Sequence, residues 1–205
     1  MWFMRILLGR HGDTAVTAGH FHGMTDHPLS STGRHEAEQL AERIKHEKPS
    51  TIYTSHLKRN QETAKIVGDK LGVPVYKTNA LGPLDNGIFD GQPNNKENTQ
   101  KLRQYLQNPN EKFPQGESVN DWAQRYLPFL TQFAKDKSDD TVMFVTHGRN
   151  IVLTKAWNKL GQNGTRYDQN LLANNTESTD HGGYSVLDGN KFTTLDSHKV
   201  PVGQS

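Results

Sequence analysis

The sequence of 205 residues contains no cysteine. This absence excludes a disulfide framework, a thiolate nucleophile and a zinc site built from cysteines, and it leaves the redox compartment open. A long apolar run is missing as well. The apolar residues at the N-terminus are too few and too soon interrupted for a signal peptide or a membrane helix, and no later stretch is long enough. We therefore expect a soluble, cytoplasmic protein.

The sequence also lacks a strong excess of either charge. Lys and Arg together number 24 and Asp and Glu number 22, so the formal net charge is +2. Nothing in this balance points to binding of nucleic acid or of a membrane surface. At this length, residues 1–205 are most simply one domain, which can bury a core without disulfides or metals.

Short apolar runs alternate with helical patterns along the chain. Residues 4–9, 51–54 and 141–146 predict buried strands, and Asp188-Gly189 between two further apolar runs predicts a hairpin. Apolar residues at i, i+3, i+4, i+7 spacing predict four helices. The first follows Thr32, the second ends at Gly72, the third starts near Ser118 and the fourth runs from about Arg149 to Leu160. Pro128 predicts a kink or a break in the third helix.

Strands that alternate with helices indicate an α/β fold. We expect three layers, α/β/α, around a mostly parallel central sheet with an antiparallel edge. Residues 79–118 are rich in Asn, Gln, Pro and Gly. We expect this segment to form loops and a short helix, as a loop-rich cap over the functional site.

Two predicted strands end in the same way, with a His-Gly pair. His11-Gly12 follows the first strand, and His147-Gly148 follows the strand at 141–146. The carboxyl ends of parallel strands share one edge of a sheet, where ligands bind, so the two histidines can converge on one site. The helix that begins after His147 would point its N-terminus at the same edge, and such an end favours anions.

Arginines accompany these histidines. Arg10 precedes His11, and Arg59 opens the helix after the strand at 51–54. A guanidinium group can donate two parallel hydrogen bonds to two oxygens of one phosphate, and it stays charged at any relevant pH. The sequence therefore predicts a cationic pocket suited to a phosphate dianion, in a protein that is nearly neutral.

An ordered set of motifs resembles the histidine phosphatase (phosphoglycerate mutase-like) superfamily. Arg10-His11-Gly12 with Thr14 resembles its RHG motif. The later segments that carry the resemblance are Gly23-x-x-Asp26-x-Pro28-Leu29-Ser30-x-x-Gly33, Ser55-x-Leu57-x-Arg59-x-x-x-Thr63-Ala64, Gly87-x-x-x-Gly91, Gly116-Glu117-Ser118 and Val145-Thr146-His147-Gly148.

The resemblance implies a phosphatase that forms a phosphohistidine and uses neither a metal nor a cofactor. His11 would take the phosphoryl group, while Arg10, Arg59 and His147 would stabilise the charge on its equatorial oxygens. A small phosphorylated substrate is the expected partner, and the expected state is a monomer or a homodimer.

Three further residues are predicted to bind the substrate. Thr17 and His22 lie where family members contact the phosphate or the substrate, and Thr17 stands where the family often has Asn. Gly148, as a glycine at a strand end, allows the backbone to approach the ligand closely.

The general acid is the point at which this sequence departs from the family. Many members place a Glu four residues before the glycine that matches Gly87, and this chain has Pro83 there. The nearest carboxylate is Asp85, with Asp90 next, so we predict that Asp85 protonates the leaving oxygen and then activates water. The alternative is that Asp85 only shapes a turn with Asn86-Gly87.

Three other functions compete with hydrolysis. A phosphoglycerate mutase would use the same pocket and return the phosphoryl group to substrate, although the basic, proline-rich insertion of those mutases is missing. The absent Glu suggests a catalytically silent phosphate-binding module. A metallohydrolase could use His20, His22 and His27, but these lack helical metal-site spacing. Histidines outside the motifs, such as His181, are expected at the surface.

Overall fold

The computed structural model describes residues 4–15, 19–174 and 179–195. Its strands are β1 (Arg5–Arg10), β2 (Thr51–Thr54), β3 (Val75–Lys77), β4 (Thr141–Thr146), β5 (Tyr184–Asp188) and β6 (Lys191–Leu195). Its α-helices are α1 (Ser31–Ile44), α2 (Lys58–Leu71), α3 (Lys96–Gln107), α4 (Val119–Ala134), α5 (Gly148–Lys159) and α6 (Gln169–Asn174). Short 3-10 turns lie at Lys45–Glu47, Asn79–Leu81 and Gly87–Phe89. Within these residues, no helix has both the length and the apolar character to cross a membrane.

The strands form a mixed sheet in the order β3-β2-β4-β1-β5-β6. The pairs β3–β2, β2–β4 and β4–β1 are parallel, whereas β5 and β6 run antiparallel to their neighbours. A tight turn after Asp188 joins β5 to β6, as the Asp188-Gly189 pair predicts. The prediction of a mostly parallel sheet with an antiparallel edge is confirmed.

Alternate residues of the central strand β1 face opposite layers of helices. Ile6 and Leu8 belong to the apolar cluster that contains the buried faces of α4 and α5, whereas Leu7 packs with residues of α1 and α2. All three side chains are completely buried, and each such burial contributes roughly 1.5–3 kcal/mol. The sheet therefore lies between two helical layers, as the alternation of strand and helix patterns predicts.

Helix α4 differs from its sequence prediction at Pro128. The pattern predicted a kink or a break, yet α4 continues from Val119 to Ala134 with the proline inside it. Trp122 and Leu130, on either side of Pro128, are completely buried. Such packing offsets the cost of an interior proline, which is about 3 kcal/mol. The predicted break is therefore wrong.

The segment 79–118 contains more helix than its composition suggests. It holds two 3-10 turns and the twelve-residue helix α3, whose Leu102 and Leu106 join the same apolar cluster as α4 and α5. The edge strand β3 was not predicted, because all three of its residues are exposed and no alternation of apolar and polar residues marks it.

Candidate active site

A pocket of about 560 Å³ lies at the carboxyl edge of the parallel strands. Arg10 and His11 reach it from the end of β1, Arg59 from the first turn of α2, and His147 from the end of β4. Gly148, the first residue of α5, also lines it. The structure thus brings together the four residues predicted for phosphoryl transfer and one of those predicted for substrate binding.

The hydrogen bonds of His11 define its tautomer. Its Nδ1 lies 2.8 Å from the carbonyl oxygen of Gly12, which can only accept, so Nδ1 carries the proton. Its Nε2 lies 3.3 Å from Nε of Arg59, which can only donate. Nε2 therefore holds the lone pair, and it is the atom of this ring that can act as a nucleophile.

The surroundings of His11 keep its ring neutral. The side chain is almost completely buried. Burial, followed by electrostatic interactions with Arg59, His147 and Arg10, holds the pKa of His11 well below its ordinary value. The lone pair on Nε2 is consequently available at neutral pH without a separate base.

Arg59 is a buried cation held by neutral partners. Its two terminal nitrogens donate to the carbonyl oxygens of Thr25, at 2.5 Å, and Gly23, at 2.7 Å. Burial lowers the pKa of Arg59 to about 10, so the group stays positive at neutral pH. Carbonyl dipoles offset only part of the cost of burying a charge. An anion in the pocket would offset the rest of this cost.

His147 is the residue immediately before α5. Its Nε2 lies 3.0 Å from the hydroxyl of Ser55, and its Nδ1 lies 3.4 Å from a terminal nitrogen of Arg59. Burial is also the main cause that holds the pKa of His147 well below its ordinary value. The backbone N–H groups at the start of α5, beginning with Gly148, add a positive helix end to the same wall.

Contacts between glycines explain part of the motif pattern around His11. A Cβ added to Gly12 would lie 2.2 Å from the carbonyl oxygen of Gly33, so the two backbones touch and admit no side chain. Ser30 caps α1 by accepting from the N–H of Gly33 at 2.9 Å. Thr63 accepts from the N–H of Gly12 at 3.2 Å. These motif residues hold the turn that presents His11.

The two other predicted substrate-binding residues have different outcomes. His22 lines the pocket with its ring centroid 6.0 Å from that of His11, and burial lowers its pKa to about 4. Thr17 lies outside the described residues, so its predicted role stays a prediction. No group of three or more His, Asp or Glu in the described ranges is arranged to hold a metal ion.

The structure does not bring Asp85 to the pocket. Its carboxylate accepts from the N–H of Gly87 at 2.9 Å, and its own N–H donates to the carboxylate of Glu117 at 3.1 Å. The side chain borders a separate small cavity that it shares with His56 and Arg125. Asp85 is thus the turn residue of the alternative interpretation, and its placement does not support the predicted role as general acid.

Asp90, the next carboxylate along the chain, does not line the pocket either. One oxygen accepts from the N–H of Met24 at 2.8 Å and the other from the amide of Asn86 at 2.6 Å. These bonds tie the turn after Gly87 to the loop that holds Arg59. Pro83 lines the pocket, but it has no group that can transfer a proton.

With this geometry in view, comparison with known proteins identifies the family. A family model described as "Histidine phosphatase superfamily (branch 1)" matches residues 6–190. The chain belongs to the histidine phosphatase superfamily. The resemblance recognised from the motifs is therefore confirmed.

Relatives within the superfamily carry mutase and phosphatase names. "Probable phosphoglycerate mutase GpmB" of Yersinia enterocolitica is 29% identical over 150 residues, which are 71% of this chain and 70% of that protein. The mycobacterial glucosyl-3-phosphoglycerate phosphatase has a TM-score of 0.76 and 23% identity, covering 94% of this chain and 98% of its own. For the alpha-ribazole phosphatase of Shigella flexneri the TM-score is 0.73 and the identity 21%, covering 98% and 100%. At these identities, the structural likenesses establish the fold.

Sequence reasoning missed two residues of this histidine phosphatase pocket. His181, expected at the surface, lines the pocket with its Nε2 2.9 Å from a terminal nitrogen of Arg10 and its ring centroid 5.4 Å from that of His11. Asp13 is the one carboxylate among the described lining residues. It directly follows the RHG motif, a signal that could have found it, whereas no motif marks His181.

Two arginines extend the positive lining away from His11. Arg149, in the first turn of α5, donates to the amide oxygen of Asn86 at 2.9 Å, and burial lowers the pKa of Arg149 to about 10. Arg103 reaches the pocket from α3. With Arg10 and Arg59, four guanidinium groups belong to the described lining of the cavity.

Proposed function

We propose that this protein hydrolyses phosphomonoesters through a phosphohistidine formed at Nε2 of His11, without a metal ion. The observation that carries the proposal is the buried, neutral ring of His11, whose unprotonated Nε2 faces Arg59 inside a positively lined pocket. The phosphatases among its structural relatives support the same reaction class.

The first step transfers the phosphoryl group to the protein. The phosphate of the substrate binds among Arg10, Arg59, His147 and the first N–H groups of α5. The lone pair on Nε2 of His11 forms a bond to phosphorus while the bond to the leaving oxygen breaks. Arg59 and the first N–H groups of α5 are already in place before reaction, so they stabilise the developing charge without further reorganisation.

The second step returns the protein to its starting state. Water attacks the phosphorus, the phosphorus–nitrogen bond breaks, and its electron pair returns to Nε2 of His11. Inorganic phosphate then leaves the pocket. This step needs a group that accepts a proton from water, just as the first step needs a group that donates one.

The test is hydrolysis of 4-nitrophenyl phosphate with and without excess EDTA by wild type and by His11→Ala. His35→Ala, an exposed histidine on α1, is the matched control. We expect EDTA to have no effect and His11→Ala to lose about 10⁴-fold or more, because the nucleophile is removed. Mass spectrometry after an alkaline quench should detect one phosphoryl group on wild type and none on His11→Ala.

Two outcomes would contradict this proposal. Activity that EDTA abolishes would indicate a metallohydrolase. Binding of inorganic phosphate without turnover of any ester would indicate a silent phosphate-binding module.

A mutase reaction is the second candidate, favoured by the name of the Yersinia relative. Such an enzyme would keep the phosphoryl group on His11 and return it to the substrate. Incubation with 3-phosphoglycerate and a trace of its bisphosphate, followed by ³¹P NMR, separates the two. Release of inorganic phosphate supports hydrolysis, whereas isomerisation without net release supports the mutase.

A further inference from the structure

Proton transfer to the leaving group is the part of the proposed function that has no assigned residue. Apart from the nucleophile His11, the described pocket lining contains five side chains that can exchange a proton in the acid-to-neutral range. These are Asp13, His20, His22, His147 and His181. The choice of one of these five side chains as the proton donor rests on the proposed function.

Three of these side chains are poorly placed for the task. Both ring nitrogens of His147 are occupied, one by the hydroxyl of Ser55 and the other by Arg59. Asp13 accepts from the hydroxyl of Ser30 at 2.9 Å, which commits one of its oxygens to the turn around α1. His20 is exposed at the rim.

His181 combines access to the pocket with two charged partners. Its Nε2 must accept from Arg10, because a guanidinium only donates, so in the neutral ring the proton lies on Nδ1. This Nδ1 lies 3.9 Å from a carboxylate oxygen of Asp13. A quarter of the side chain is exposed, so the ring can meet a substrate. Asp13, His181 and Arg10 thus form a row that ends beside His11.

Binding of a phosphate dianion changes the charges around His181. Burial and then Arg10 lower the pKa of His181 to about 4, with Asp13 opposing them and His22 and Arg59 adding to the decrease. When Arg10 turns to the phosphate, Nε2 of His181 loses the donor that occupied it. The dianion and Asp13 then both favour a proton on Nε2.

We propose that His181, supported by Asp13, is the general acid and base that replaces the missing Glu. In the first step, the proton on Nε2 of His181 passes to the leaving oxygen as its bond to phosphorus breaks, which releases an alcohol and leaves His181 neutral. In the second step, Nε2 takes a proton from the attacking water while the electron pair of the phosphorus–nitrogen bond returns to His11. The proton balance closes over one turnover.

A leaving-group series tests this role. 4-Nitrophenyl phosphate releases an anion that needs no proton, whereas phenyl phosphate and glycerol phosphate need one. We expect His181→Gln to change kcat/KM for 4-nitrophenyl phosphate by less than about tenfold and to reduce that for the other two by about 10²-fold or more. Asp13→Asn should show the same pattern with smaller losses, and His35→Gln should show none.

A purely structural role of His181 predicts a different result. The amide oxygen of Gln can still accept from Arg10, so His181→Gln would then resemble wild type on every substrate, and His181→Ala would lose equally on all three. Either pattern would overturn the proposal. It would also be overturned if His22→Gln, rather than His181→Gln, gave the leaving-group-dependent loss.

The failure of this proposal can be told apart from a failure of the proposed function. Hydrolysis of 4-nitrophenyl phosphate that depends on His11 supports the phosphohistidine reaction even if His181 has no role in it. Circular dichroism of each variant verifies that the fold persists, and binding of inorganic phosphate verifies that the positively charged lining of the pocket persists.

Discussion

The pocket has two sides that the chain builds differently. We call the first the strand-end side: Arg10, His11, Arg59 and His147, which stand at the ends of β1 and β4 or in the first turn of α2. The second, the connection side, comprises the lining residues from segments 79–118 and 179–183. The strand-end side is fixed by the sheet, and the side chains of His11, Arg59 and His147 contact one another. The connection side consists of loop and cap residues, among which Pro83 replaces the family's acid.

This difference suggests that the two sides of the pocket have separate roles. Phosphate has one shape in every substrate, so a rigid strand-end side suits it. The leaving group varies between substrates, so the side chains that contact it can change without disturbing the sheet. The following predictions, from the largest expected effect to the smallest, can sharpen or break this comparison.

Arg59 should be the most sensitive position after the nucleophile. Arg59→Ala removes a buried donor beside His11, and we expect kcat for 4-nitrophenyl phosphate to fall by about 10²–10³-fold. Arg34→Ala removes an arginine that is exposed and paired with Glu62, and it should leave kcat unchanged. A loss below tenfold in Arg59→Ala would break the comparison, because the strand-end side would not then control the rate.

Gly12 should control the stability of the turn that carries His11. Gly12→Ala places a Cβ 2.2 Å from a backbone oxygen, and overpacking of this kind costs about 1–3 kcal/mol. Gly82→Ala, at a φ of -60° and with no atom closer than 3.1 Å to the added Cβ, controls for the loss of glycine alone. Thermal unfolding should show the larger decrease in Tm for Gly12→Ala, and equal decreases would contradict the backbone contact.

The buried histidines should make the protein less stable in acid. The pKa values of His22 and His181 are about 4 in the folded chain and about 6.5 in an unfolded one. The unfolded state therefore binds more protons below pH 6.5, so the free energy of unfolding falls as the pH decreases from about 6.5 towards 4. Urea unfolding at pH 7 and pH 5 should show this decrease in wild type.

The double variant His22→Gln/His181→Gln isolates the contribution of these two histidines to that effect. It should lose less stability between pH 7 and pH 5 than wild type does, because only His11 and His147 remain as buried histidines of the pocket. His35→Gln should behave as wild type. An unchanged pH dependence in the double variant would assign the whole effect to the strand-end side.

Asp85 should matter least. Asp85→Ala removes the acceptor for the N–H of Gly87, which we expect to reduce the free energy of unfolding by about 0.5–1.5 kcal/mol. The ratio of rates on phenyl and 4-nitrophenyl phosphate should stay at the wild-type value. A selective loss on phenyl phosphate would restore Asp85 as the acid and remove that role from His181.

The strand-end side could be predicted because its signals are local. A buried strand followed by His-Gly predicts where that histidine lies, since strand ends share an edge in a parallel sheet. The same reasoning predicted the three layers and the terminal hairpin. The break that Pro128 allowed does not occur, because burial of α4 outweighs the local preference, and β3 was missed because its exposed residues show no pattern.

His181, on the connection side, could not be predicted because tertiary pairing places it. β5 pairs with β1 so that Gly9 lies opposite Tyr184, and the N–H of Arg10 donates to the carbonyl of Gly183. This pairing carries His181 to the pocket across 171 residues of sequence. Asp85 looked suitable from its distance to Gly87, but distance along the chain does not show which way a turn residue faces.

The central position of β1 also has a consequence for synthesis of the chain. β1 is made first among the strands, yet both of its partners, β4 and β5, come more than a hundred residues later: Arg5 pairs with Thr141 and with Asp188. At about 5–20 residues per second, the ribosome needs roughly ten seconds to deliver β4. During that time the apolar strand β1 has neither β4 nor β5 to pair with, so the nascent chain depends on chaperones or on rapid collapse. His11 directly follows the first described strand, yet its pocket forms only after β4 and β5 have been made.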